Sequence, residues 1–134
     1  MSEAQRLDQG SGRPVIVVGY SSKPEVRAAL KRALAEAELR TAQLVVVHTS
    51  PEVAVDDLRS ELEAAGVPYE VMEALDSLDP AEELLTVAEG RHAEFIVIGL
   101  RRRSPVGKLL LGSNAQRVLL DAACPVLAVK AEAA

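Results

Sequence analysis

The stretch "AEFIVIGLRRRSPVGKLLLGSNAQRVLLDAACPVLAVK", Ala93 to Lys130, decides how this chain is built. It begins with an apolar run, "AEFIVIG" (93–99), that a glycine ends, and it closes with another, "CPVLAVK" (124–130). Between them "GSNAQRVLLDA" (112–122) sets Ala115, Val118, Leu119 and Ala122 at helical spacing. Strand, loop, helix, strand is the unit that lays two parallel strands side by side, because the helix carries the chain back to its starting edge. The loop is unusual in its charge. The chain is acidic, with formal net charge −5, yet Gly99 to Gln116 holds Arg101, Arg102, Arg103 and Lys108 and no carboxylate.

The same rhythm runs upstream. "PVIVVG" (14–19) and "AQLVVVHTS" (42–50) are runs of the kind buried on both faces of a sheet. "KPEVRAALKRALAEAELR" (23–40) places Val26, Leu30, Ala33, Leu34 and Ala37 on one helical side. "SPEVAVDDLRSELEAAG" (50–66) predicts a helix capped by Ser50, with Pro51 at its first position, Leu58, Leu62 and Ala65 inward, and Gly66 as its stop. "VPYEVMEAL" (67–75) alternates as a strand whose polar content suits a sheet edge. Asp79 and Glu82 form a capping box around Pro80 at the start of "DPAEELLTVAEG" (79–90). The fold class expected is therefore α/β, one doubly wound five-stranded parallel sheet with helices on both faces. It occupies residues 14–130, with tails at 1–13 and 131–134.

Composition narrows the function classes. A chain of 134 residues supports one domain, and a 49% hydrophobic fraction supports a packed core. Two tyrosines, one phenylalanine and no tryptophan give no stacking platform for single strands, and the acidic balance opposes nucleic-acid binding. No apolar run reaches the roughly 18 residues of a membrane span, so no membrane is expected. The single cysteine, Cys124, has no partner for a disulfide, which suits a cytoplasmic protein.

In a doubly wound sheet, ligands sit beyond the carboxyl ends of the strands where the winding reverses. The loops in question are 19–23, 48–51 and 99–112. Gly99 lets the backbone turn off its strand and approach a ligand, and a helix opening at Gly112 and Ser113 presents unpaired N–H groups to an anion. A plainer reading stands beside this one. Ser113 and Gln116 are spaced as a capping box, so Ser113 could serve only its own helix, and the arginines could be solvated.

Glycine at a strand end, a loop, "LLLGS", a helix and "CPVLAV" together resemble the universal stress protein family, as do "VVVHTS" and "DPAEELLTVAEGRHAEFIVIG" in order and spacing. The resemblance runs from about Val15 to Lys130. It implies strand order 3-2-1-4-5, a homodimer built along the fifth strand, and in many members ATP held between strands one and four. That family's ATP pattern is Gly, two residues, Gly, nine residues, Gly, then Ser or Thr. Gly99, Gly112 and Ser113 match it, while Arg102 stands in the place of the second glycine. Tyr20 stands where ATP-binding members tend to carry an aspartate, and Thr49 follows the histidine where such members touch adenine through the backbone.

The expectation is a dimeric cytoplasmic regulator in stress response that binds ATP, AMP or another phosphorylated ligand. Its site would comprise Gly19, Tyr20, Thr49, Gly99, Arg101, Arg102, Gly112, Ser113 and Asn114. The rival is a dimeric interaction module whose arginine loop docks an acidic protein partner. A receiver-type phosphoacceptor domain is disfavoured, since "GYSS" lacks the acidic pair that binds magnesium. Nothing marks an enzyme beyond at most a weak ATPase: no nucleophile stands beside His48, Cys124 reads as a buried thiol, and no metal constellation is visible.

Overall fold

The computed structural model describes residues 12–21, 23–48, 54–74, 79–102, 109–110 and 112–131. In chain order these form β1 (Val15–Tyr20), α1 (Glu25–Arg40), β2 (Gln43–His48), α2 (Val55–Ala65), β3 (Tyr69–Glu73) and α3 (Pro80–Gly90). Then follow β4 (Phe95–Arg102), the two-residue β5 (Leu109–Leu110), α4 (Ser113–Asp121) and β6 (Val126–Lys130). The parallel sheet runs β3-β2-β1-β4-β6, which is the 3-2-1-4-5 order expected of five parallel strands. The tail residues 1–11 and 132–134 lie outside the described residues.

Alternation along each strand splits the core in two. Ile16, Val18, Leu44, Val46 and Val97 pack on one face with Ala29, Leu30 and Ala33 of α1 and with Leu58 and Leu62 of α2. Val17, Val45, Val47, Ile96 and Ile98 pack on the other with Leu84 and Val87 of α3 and Val118 of α4. Every residue of β2 is buried, as a strand covered by helices on both sides must be. Among the described residues β3 pairs only with β2, so its mixed polarity does mark an edge. The winding reverses between β1 and β4, at the centre of the sheet.

Four local expectations need correction. β4 does not end at Gly99 but continues to Arg102, where Arg101 and Arg102 pair antiparallel with Leu110 and Leu109 of β5. The backbone at Arg102 is thus extended strand, which any residue adopts, so the lost family glycine imposes no strain there. α2 begins at Val55 with Ala54 as its N-cap, so Ser50 does not cap it; residues 49–53 lie outside the described residues. Leu119 and Leu120 of α4 are exposed, Leu120 at 81%, and Ala65 of α2 is exposed as well, because short helices bury a narrower stripe than their apolar content suggests.

Candidate ligand-binding cleft

A cleft of about 510 Å³ opens at the carboxyl ends of β1 and β4. That is within the common range for small-molecule sites. Its floor is apolar: Val47, Leu84, Ile98 and Val118, all from the α3/α4 side of the sheet. Gly19 faces the same side, and a Cβ there would come within 3.2 Å of Leu84 Cδ2. The rim is formed by the first turns of α1, α3 and α4, through Glu25, Ala81 and Ser113 among others.

The three helix starts differ in charge. The first turn of α1 carries Glu25. α3 carries Glu82 and Glu83, and the Asp79 carboxylate accepts from the Glu82 N–H at 3.1 Å, so the capping box forms as the sequence suggests. α4 has no acidic residue in its first turn and no side-chain cap. Its N-cap is Gly112, whose carbonyl accepts from the Gln116 N–H at 3.0 Å. The Ser113 hydroxyl therefore does not serve as the helix cap, contrary to the plainer reading. The first N–H groups of α4, from Ser113, Asn114 and Ala115, have no partner within the helix. They border the cleft with the helix dipole behind them.

Arg117 fixes that helix in place. One turn beyond Ser113, its guanidinium binds the carboxylates of Asp79 and Glu82 on α3, and Nε reaches Asp121 Oδ2 at 3.4 Å. The Glu82 N–H and then the Arg117 guanidinium hold the Asp79 carboxyl below its ordinary range. Two helix starts are thereby tied together beside the cleft. The sequence reading missed Arg117, whose acidic partners lie 35 and 38 residues away.

The cleft gathers Gly19, Tyr20, Gly99, Gly112, Ser113 and Asn114 from the residues expected on sequence grounds. Arg101 and Arg102 contribute backbone to β4 just past the cleft residue Leu100. Thr49 lies outside the described residues. Gly99 lines the cleft, but its want of a side chain has another cause: a Cβ there would stand 2.4 Å from the Glu25 carbonyl oxygen. Tyr20 lines the cleft while its hydroxyl accepts a hydrogen bond from Arg27 Nη1 at 3.1 Å. Arg27 in turn grips Glu61 of α2 at 2.8 and 3.0 Å, and Glu61 and Tyr20 together hold the guanidinium above its ordinary pKa range.

His48 is 1% exposed, and neither ring nitrogen has a hydrogen-bond partner among the described residues; Nε2 stands 3.9 Å from Glu73 Oε1. Burial pushes the Cys124 thiol up from its ordinary pKa, which suppresses the reactive thiolate. Among the described residues no group of three potential ligands could hold a metal ion, and no helix is long and apolar enough to cross a membrane.

Residues 52–130 match the family model described as "Universal stress protein family". A universal stress protein of Mycolicibacterium smegmatis is 45% identical over 127 residues, covering 87% of this chain and 97% of the relative. The chain belongs to the universal stress protein family. A solved universal stress protein from Archaeoglobus fulgidus superposes with TM-score 0.69 at 30% identity, covering 88% of this chain and 98% of that one. An Archaeoglobus fulgidus universal stress protein in complex with dAMP gives TM-score 0.63 at 24% identity, covering 88% and 98%. A universal stress protein in complex with cAMP gives 0.68 at 23%, covering 88% and 97%. At those last two identities the likeness speaks for the fold.

Proposed function

We propose that this universal stress protein binds a nucleoside phosphate in the cleft between β1 and β4 and acts as a cytoplasmic regulator in stress response. The observation that carries this reading is the start of α4. Of the three helix starts on the cleft rim, it alone has neither a first-turn carboxylate nor a side-chain cap. A phosphate there would take the N–H groups of Ser113, Asn114 and Ala115 and meet the positive end of the helix dipole. The floor of Val47, Leu84 and Ile98 offers a base an apolar surface, with Gly19 adding no side chain of its own. Family members in complex with dAMP and cAMP lend support to an adenine monophosphate as the ligand, with ATP as the larger candidate.

The same reading includes a homodimer through the fifth parallel strand, β6. Among the described residues that strand pairs only with β4, its residues Val126 to Val129 are half-buried in the single chain, and Leu120 is exposed on the helix leading into it. An unpaired apolar edge is a template for pairing with another strand. Sedimentation equilibrium of the purified chain is expected to give the dimer mass.

Calorimetric titration with AMP, cAMP and ATP tests the ligand. Saturable binding of at least one is expected, lost in Gly112→Val. No saturable binding of any of the three overturns the nucleotide reading and leaves the protein-docking alternative. Binding that survives Gly112→Val moves the site elsewhere.

A further inference from the structure

Among the described residues the cleft is lined by two charged ones, Lys23 and Glu25, and a phosphate on α4 has no use for the carboxylate. Glu25 is the one carboxylate among the described residues that line it, and it makes no hydrogen bond or ion pair among them. Nearby carboxylates are engaged: Asp79 and Glu82 hold Arg117, and Glu61 holds Arg27. Glu25 is brought there by packing. Because Gly99 has no side chain, the first turn of α1 presses onto the end of β4, with the Glu25 carbonyl in the space a Cβ would fill. Meanwhile Arg27 already occupies the Tyr20 hydroxyl as its acceptor, so the residue in the family's aspartate position is tied towards α1 and α2.

A carboxylate without a partner among the described residues opposes phosphate binding by Coulomb repulsion, offset in part by Lys23 of the same lining, unless it binds another part of the ligand. Ribose supplies the complement, since its hydroxyls donate and a carboxylate accepts, and charge-assisted hydrogen bonds are the strong ones. We propose that Glu25 is a specificity-determining residue of the cleft, accepting hydrogen bonds from the ribose hydroxyls of a nucleoside phosphate whose phosphate lies on the start of α4. The assignment rests on the nucleotide reading of the cleft.

The test compares AMP, 2′-deoxy-AMP and 3′-deoxy-AMP on the parent chain, Glu25→Gln and Glu25→Ala, each checked for folding by thermal melting. Glu38→Gln, an exposed change near the far end of the same helix, is the control. The parent and Glu38→Gln are expected to prefer AMP over at least one deoxy analogue by about tenfold or more. Glu25→Gln shrinks that preference, and Glu25→Ala removes it. If Glu25→Ala instead tightens all three ligands alike, the carboxylate only repels phosphate and the assignment is wrong. Affinity that needs magnesium and ignores the hydroxyls gives Glu25 to a cation, which also overturns it. A parent chain that binds none of the three defeats the nucleotide reading itself, a result distinct from binding without discrimination.

Discussion

Gly99 and Gly112 stand at the two ends of one segment and occupy opposite environments. At Gly99 the place of a Cβ is taken by protein, with the Glu25 carbonyl oxygen at 2.4 Å, its carbon at 2.9 Å and the Val26 nitrogen at 3.3 Å. At Gly112 nothing among the described residues stands within 4 Å. The neighbours at Gly99 are backbone, which cannot swing aside as a side chain can. One glycine is required so that α1 can pack against β4. The other leaves open space at the start of α4, on the cleft rim. Two glycines of one motif thus differ: one meets helix backbone, and the other lines the cleft rim.

The largest expected effect is on the crowded side. Gly99→Val should cost about 3 kcal/mol or more of stability, a fall in Tm on the order of 10 °C read by circular dichroism. A melt within about 2 °C of the parent would show that α1 gives way easily and that the contrast is false. On the open side, Gly112→Val should cost no more than about 1 kcal/mol as a poorer N-cap. It should still weaken AMP binding on the order of a hundredfold, because the valine fills space the ligand needs. Gly112→Asp sharpens the point. It caps α4 and should hold or raise Tm, yet it should abolish binding by placing a carboxylate where the phosphate lies.

Smaller effects test what supports the open side. Arg117→Ala releases α4 from Asp79 and Glu82, and should reduce AMP affinity and amide protection in α4 while leaving protection in β1 and β2 unchanged. The same tie should respond to acid. The carboxyl of Asp79 has a lowered pKa in the folded chain, so its contribution is complete above the ordinary value of about 4 and is lost as pH falls below it. Protection factors in α4, corrected for the intrinsic exchange rate at each pH, should therefore be flat through neutrality and fall only in that acid range. The smallest change expected is Tyr20→Phe. Arg27 keeps its double contact with Glu61, so stability should move by within about 1 kcal/mol and AMP affinity should hold. A marked loss of affinity would give the ribose contact to the Tyr20 hydroxyl rather than to Glu25.

The legible part of the fold was what period and punctuation carry. Runs such as "VIVVGY" and "QLVVVH" read as strands buried on both faces, and Asp79 with Glu82 read as a capping box; both hold in three dimensions. The antiparallel pairing of β4 with β5 was not legible, since two residues of strand leave no periodic trace. Of the cleft, the glycines and the start of α4 could be seen because motif spacing keeps them together in sequence. Glu25 and the floor of Val47 and Leu84 could not, because each reaches the cleft from a different element, and nor could Arg117, whose acidic partners belong to the start of α3.

By itself, then, the sequence determined the α/β class and the order of its main elements along the chain, since hydrophobic period depends on near neighbours alone, whereas the strand order and switch point came only with the family resemblance. Only the tertiary structure decided what each motif residue does there. It set Gly99 against a helix backbone, turned the Tyr20 hydroxyl to Arg27, left the start of α4 without a side-chain cap and brought to the rim Glu25, which has no partner among the described residues. Those roles depend on which groups packing brings within a few ångströms of one another, and no spacing along the chain encodes such distances.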